Sequence, residues 1–247
     1  MSDVDTTGVV GVLGGMGPLA TIDFMRKVLS ATAAASDQEH VPVVVSSIPQ
    51  VPDRTAAFRG DGPSPLAAMV ASGQRLVRAG AGLVVMPCNT AHLWFDDVQS
   101  ALQLPMLHLV DAALEDALAA TRRGSTLGLL CTDATLASGL YVNRASRGAC
   151  TAHVRWALPT AVEMLELVMP GIAAVKADDL ATGRDLLERA AVALARRGAD
   201  AIVLGCTELP LVLDAANAGV PVIDATASLA RRAVAWSTAQ RDQPRDR

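Results

Sequence analysis

Two cysteines stand at matching places in a repeated segment. Arg78-Ala-Gly-Ala-Gly-Leu-Val-Val-Met-Pro-Cys88 returns as Arg196-Arg-Gly-Ala-Asp-Ala-Ile-Val-Leu-Gly-Cys206, 118 residues later. Each copy reads as a helix end, a Gly turn and a buried strand that stops at the thiol. Asn89-Thr90 follows the first cysteine and Thr207-Glu208 the second. A duplicated fold that offers one thiol from each half predicts two thiols facing one cleft. Such a pair can take a proton from one face of a carbon and return one to the other face.

The thiols also have a bland reading, since a lone buried cysteine is most often a small hydrophobe. Two at equivalent places in a repeat reverse that balance. Both stand at the carboxyl ends of predicted parallel strands, where open α/β sheets bind ligands. The sequence places a helix start after each, and a helix N-terminus favours anions and a thiolate. Asn89, Thr90 and Thr207 supply neutral donors that could hold a carboxylate, although Asn and Thr serve equally well as helix caps.

Gly11-Val-Leu-Gly14-Gly15-Met16-Gly17-Pro18 joins the first strand to the first helix, with Pro18 suited to the first helical position. Gly15-x-Gly17-x-x-Ala20 formally fits a dinucleotide fingerprint, but the acidic residue expected at the end of the second strand is missing, because that strand ends Val-Val-Val-Ser-Ser. A glycine loop shaped around a small ligand fits better. Arg54 follows the Pro49 and Pro52 breaks and reads equally as a carboxylate grip or a solvated loop residue. Lys176, on its own, reads as a snorkelling lysine in an apolar helical segment.

These residues need an alternating frame. Gly8 to Leu13, Val41 to Ser46, Leu83 to Met86, Thr126 to Leu130 and Ala201 to Leu204 read as buried parallel strands. Leu19 to Ala33, Pro65 to Arg78, Leu114 to Thr121 and Leu180 to Arg197 read as helices. The alternation predicts an α/β fold with helices on both sheet faces. The repeat extends further: Gly11-Val-Leu-Gly-Gly15 matches Gly128-Leu-Leu-Cys-Thr132, and Leu104-Pro-Met-Leu107 matches Val220-Pro-Val-Ile223. Two pseudo-symmetric Rossmann-like lobes with parallel sheets and a cleft between them are expected. Their bounds are 1–110 plus 220–247 for the first lobe and 111–219 for the second, the final segment crossing back.

Composition limits the function classes. The chain has 247 residues, 51% hydrophobic and 19% charged, so a large core is available. Aromatics at 3% and a net charge of −4 argue against nucleic-acid binding. No apolar run approaches the ~20 residues that span a bilayer, and the N-terminus has no basic region or signal core. A soluble cytoplasmic protein is expected, with no membrane partner. None of Cys88, Cys131, Cys150 and Cys206 forms a CxxC pair, which argues against zinc and thioredoxin chemistry and for free thiols.

Gly14-Gly-Met-Gly-Pro18, Val51-Pro-Asp-Arg-Thr-Ala56, Met86-Pro-Cys-Asn-Thr-Ala-His92 and Leu204-Gly-Cys-Thr-Glu-Leu-Pro210 together resemble the aspartate racemase family, the cofactor-independent branch of the aspartate/glutamate racemase superfamily. The resemblance runs from about Gly8 to Trp236 with the motifs in the family's order. It implies a site between two α/β lobes, a homodimer, and no cofactor and no metal. It implies Cys88 and Cys206 as the two acid/base residues. Arg54 and Lys176 would hold the side-chain carboxylate of an acidic amino acid, aspartate or glutamate. Asn89, Thr90, Thr132 and Thr207 would hold its α-carboxylate. Asp53 and Glu208 would assist proton handling, and Met16 and Gln50 would line the pocket. One segment departs from the pattern: Leu130-Cys-Thr-Asp-Ala-Thr135 carries Cys131 and Ala134 where Ala and Gly are usual. Cys131 is expected to be a packing residue. Other enzymes of the superfamily (broad-specificity amino-acid and hydantoin racemases, decarboxylases, maleate isomerases) and a non-catalytic amino-acid-binding protein on the same fold are the alternatives.

Overall fold

The computed structural model describes residues 7–148, 151 and 153–242, so Cys150 lies outside the described residues. Among the described residues, eight parallel strands form two four-stranded sheets. The first contains β1 (Val10–Gly14), β2 (Val43–Ser47), β3 (Leu83–Val85) and β4 (Met106–Leu107) in the order β2-β1-β3-β4. The second contains β5 (Thr126–Cys131), β6 (Arg155–Ala157), β7 (Ala201–Gly205) and β8 (Val222–Asp224) in the order β6-β5-β7-β8. Relabelled from its own first strand, each half has the same strand order, as a duplicated chain requires. β1, β3 and β7 are buried along their whole length, and strands covered on both faces are written as unbroken apolar runs.

The first half carries α1 (Pro18–Ala31), α2 (Arg54–Arg59), α3 (Leu66–Arg78), α4 (Phe95–Leu102) and α5 (Leu109–Ala120). The second carries α6 (Asp133–Ala137), α7 (Leu140–Arg147), α8 (Ala161–Glu163), which runs through a π turn at Met164–Val168 into α9 (Met169–Lys176), then α10 (Leu180–Arg196), α11 (Ala215–Ala218) and α12 (Ala225–Arg241). Their apolar sides bury three layers. Met69, Leu76 and Val84 belong to the layer on the outer face of the first sheet. Ile172, Leu187 and Leu194 belong to the one on the outer face of the second. The third is shared: Val12, Phe24, Leu109, Leu114, Leu129, Val203 and Leu229 form one cluster between the sheets. That common core fixes the relative position of the two sets of strand ends.

β8 does not return to the first lobe, as the expected break at residue 220 requires. It pairs with β7 through Ile202↔Val222, Val203↔Ile223 and Leu204↔Asp224. A short apolar strand must pair its main-chain groups, and the open side of β7 lies next to it in the same half. Only α12 crosses, packing on α1 and α5. In the first half α5 likewise follows β4 and packs on α7 and β8. Each half therefore sends its last helix across the molecule.

The glycine loop after β1 is set by close backbone approach. Gly15 has φ +89° and a Cβ there would stand 2.4 Å from the Ile48 amide nitrogen. Only glycine fits both the left-handed conformation and the contact. Pro18 is the first residue of α1, as its fixed φ favours.

Candidate active site

The carboxyl ends of β1, β3, β5 and β7 converge on one narrow cleft between the lobes, with about 330 Å³ of empty space. Cys88 and Cys206 both line it and are 6% and 5% exposed. Met16, Asp53, Arg54, Asn89, Thr90, Thr132, Lys176, Thr207 and Glu208 line it as well. Gln50 does not. It sits in a turn closed by Val51 N–H donating to Ile48 O at 3.3 Å, with its side chain exposed. The expectation that Gln50 lines the pocket is corrected accordingly.

The helical segment expected after each cysteine begins as a 3₁₀ turn. The turns are Thr90–Trp94 after Cys88 and Leu209–Leu211 after Cys206. The Leu209–Leu211 turn is too short to offer much dipole, whereas Thr90–Trp94 runs straight on into α4. The Cys206 thiol donates to Glu208 Oε2 at 3.0 Å, and Thr207 Oγ1 donates to the same oxygen at 3.1 Å. Burial pushes the Cys206 thiol well up, and the neighbouring Glu208 carboxylate adds to the shift. Lys176 pulls the other way. Cys206 is thus held as a protonated thiol, a proton donor in waiting.

Lys176 ends α9, where a cation suits the carbonyl end of a helix. Its surface is open to solvent on one side, yet its ammonium feels the cleft. Burial there disfavours the charge, but Glu208, Cys206 and Cys88 outweigh burial and raise its pKa. Arg54 opens α2, which Asp53 caps by accepting from Ala56 N–H at 2.8 Å. Arg54 Nη1 donates to Val51 O at 3.3 Å and Pro52 O at 3.1 Å, while its Nε is buried with no partner. One turn on, Arg59 pairs with Asp133 at the start of α6, tying the two lobes together beside the cleft.

Three further buried residues, Thr135, Tyr141 and His92, support the site without a local sequence pattern that points to them. Thr90, Thr132 and Thr135 form a closed triangle of hydroxyls, each pair 3.0 Å apart. The Tyr141 hydroxyl donates to Asn89 Oδ1 at 2.5 Å. His92, four residues after Cys88, holds the main chain of that cysteine. Its Nδ1 lies 2.8 Å from Cys88 O, and its Nε2 accepts from Leu109 N–H at 3.1 Å. A carbonyl can only accept, so Nδ1 carries the proton and the ring is neutral. Cys131 is fully buried in the shared core, where burial raises its thiol, consistent with packing. Among the described residues no group of three or more His, Cys, Asp or Glu is arranged to hold a metal ion. None of their helices is long and apolar enough to cross a membrane.

The histidines give the fold an acid limit. Burial pushes His92 down to about 4, and burial with the neighbouring His92 pushes His108 down to about 2. Unfolded, both titrate near 6.5. Their contribution is therefore complete above pH 6.5 and lost as pH falls towards 4, where the unfolded chain holds more protons. The slope is about 1.4 kcal/mol per pH unit for each histidine. Thermal midpoints taken from about pH 7 down to about pH 4.5 should fall more steeply for the wild type than for His92→Gln. Parallel curves would show that His92 is not held neutral.

The architecture has close counterparts. A family model described as Asp/Glu/Hydantoin racemase matches residues 13–233. The solved structure of Picrophilus torridus aspartate racemase superposes with a TM-score of 0.82 at 31% identity, covering 93% of this chain and 94% of that one. The broad specificity amino-acid racemase RacX of Bacillus subtilis is 28% identical over 236 residues, 92% of this chain and 96% of its own. A glutamate racemase of Deinococcus radiodurans is 30% identical over 239 residues, 90% of this chain and 72% of its own.

Proposed function

This chain belongs to the Asp/Glu/hydantoin racemase family, and on that premise we propose that it interconverts the enantiomers of an acidic amino acid, aspartate or glutamate, by a two-thiol mechanism without a cofactor. The observation that carries the reading is the pair Cys88 and Cys206: both buried, both at the ends of equivalent strands, both lining one cleft. Binding alone needs carboxylate grips but no such pair.

The Cys88 thiolate removes the α-proton from one face, breaking Cα–H and forming S–H. The electron pair passes into the α-carboxylate. The Cys206 thiol, held protonated beside Glu208, gives its proton to the opposite face of the carbon. The reverse direction exchanges the two roles. Charge growing on the α-carboxylate meets Asn89 and nearby main-chain N–H groups, fixed in advance of the reaction. The hydroxyls of Thr90, Thr132 and Thr207 turn from their present partners, Thr135 and Glu208, to donate as well. Arg54 and Lys176 take the second carboxylate, with Asp53 and Glu208 beside the proton path and Met16 against the substrate stem.

A second reading, broad specificity towards neutral amino acids, is favoured by the near full-length similarity to the Bacillus subtilis enzyme. It is also favoured by the two main-chain carbonyls that already occupy Arg54 Nη1. Dialysed protein incubated with single enantiomers in deuterated water separates the readings. Aspartate or glutamate should exchange its α-proton and racemise fastest, without added pyridoxal phosphate or metal. Faster turnover of neutral amino acids establishes the second reading, and no exchange with any amino acid defeats both.

A further inference from the structure

Asn89 presents a choice. Its amide has an accepting face, Oδ1, and a donating face, Nδ2 with two protons. Turned one way it attracts a carboxylate in the cleft, and turned the other way it repels one. The electron clouds of the two faces are nearly alike, so the side chain alone does not decide. Here Oδ1 is taken by the Tyr141 hydroxyl at 2.5 Å, and Nδ2 is buried without a partner. Asn89 is 3% exposed and lines the cleft. An unpaired buried donor is costly, so this one asks for an acceptor that the free protein does not supply.

From this hydrogen-bond accounting we infer that Tyr141 is a positioning residue: its hydroxyl locks the Asn89 amide so that Nδ2 faces the cleft as the donor for the substrate's α-carboxylate. The inference rests on the racemase reading above. Tyr141 is well built for the task. It is fully buried, and its ring meets Trp156 edge to face with centroids 6.4 Å apart, so the hydroxyl is rigidly aimed. Burial raises its pKa well above the ordinary value, which keeps the O–H intact as a donor at any working pH. The bond also crosses the lobes. Tyr141 lies on α7 and Asn89 follows β3, so the amide is oriented only when the halves sit as they do here. Cys88 is the residue before Asn89, and a carboxylate seated on Nδ2 is thereby held next to one of the two thiols.

The test uses the full chain and whichever amino acid the wild type turns over fastest. Tyr141→Phe keeps the ring and removes the donor. Its kcat/KM should fall about tenfold or more, the scale of one hydrogen bond to a charged group, and its thermal midpoint should drop by a few degrees because Asn89 Oδ1 loses its partner. In an Asn89→Ala background the same change should have no further effect, because the tyrosine acts only through the amide. Asn89→Asp supplies an independent arm. It retains an acceptor for Tyr141 but turns an oxygen instead of N–H groups to the cleft, so it should lose more activity than Asn89→Ala. Wild-type kinetics in Tyr141→Phe, an undiminished tenfold loss in the Asn89→Ala background, or wild-type activity in Asn89→Asp would each overturn the inference. Should Tyr141→Phe fail to fold, the Asn89→Asp arm still decides. A wild-type chain that turns over no amino acid overturns the racemase reading, and this inference with it. That result is distinct from a failure confined to the variants.

Discussion

Serine in place of Cys88 or Cys206 is expected to abolish racemisation, with a loss of at least the ~10²–10⁴-fold that one positioned acid or base contributes. The substitution is nearly isosteric. At position 206 it retains a donor for Glu208 Oε2, so the fold and the thermal midpoint should hold. What disappears is the acidity, since a hydroxyl ionises far less readily than a thiol. The two variants should not fail identically. Cys206→Ser leaves Cys88 free to take a proton from one face, so one enantiomer should still exchange its α-proton with deuterated solvent without inverting. Cys88→Ser leaves Cys206 in its protonated resting state beside Glu208, and exchange from the opposite enantiomer should be slower. Cys131→Ala is the control. That thiol is buried in the shared core and absent from the cleft, so its loss should lower stability and leave the chemistry in place. Racemisation at the wild-type rate by either serine variant would end the two-thiol reading.

Much of this frame is legible in the sequence because parallel strands buried on both faces leave unbroken apolar runs. β1, β3, β5 and β7 are found this way to within a few residues. β2 is read as well, as Val41 to Ser46; β4 and β6 are missed because two or three residues carry no period, and β8 is read only as a last short strand near Val220. The start of α5 is read five residues late, at Leu114 instead of Leu109. Its cap is the ring of His108, which accepts from Val110 N–H, and histidine is not among the usual capping residues. The assignment of 220–247 to one lobe misplaces β8 because pairing is decided by which strand edge is open, a fact of three dimensions. The cysteines and the donors after them are legible from the repeat, and Glu208 only from the resemblance. Tyr141 is not, because its partner Asn89 is 52 residues away and no local pattern joins them. One signal was available: it is the only tyrosine in an aromatic-poor chain, and a buried tyrosine hydroxyl needs a partner. Gln50 shows the opposite failure. The resemblance carries it into the pocket by position, while the turn at Ile48–Val51 holds it outside.

Arg54→Ala should cripple turnover of aspartate and glutamate and affect alanine and methionine far less. Losing a charge-assisted contact whose partner stays buried costs roughly 2–5 kcal/mol. At about 1.4 kcal/mol per decade that is a ~30-fold or larger fall in kcat/KM. The structure adds a complication that the comparison must absorb. Arg54 Nη1 also ties down Val51 O and Pro52 O, so alanine loosens the loop for every substrate. A uniform loss measures that loosening, and only the excess loss on the dicarboxylic substrates measures the grip. The unpartnered Nε is the buried donor left for a ligand. Lys176 approaches from the other lobe with its charge stabilised by the same carboxylate and thiols. A second carboxylate gripped by both would pull the lobes together over the thiols, and a neutral side chain would leave both cations uncompensated. Arg54→Lys separates shape from charge. It retains the cation but loses the planar fork, so it should recover part of the activity on aspartate and glutamate and none of the loop anchoring. Equal losses on all four amino acids, or a wild-type preference for methionine, would defeat the dicarboxylate assignment and leave the broad-specificity reading in its place.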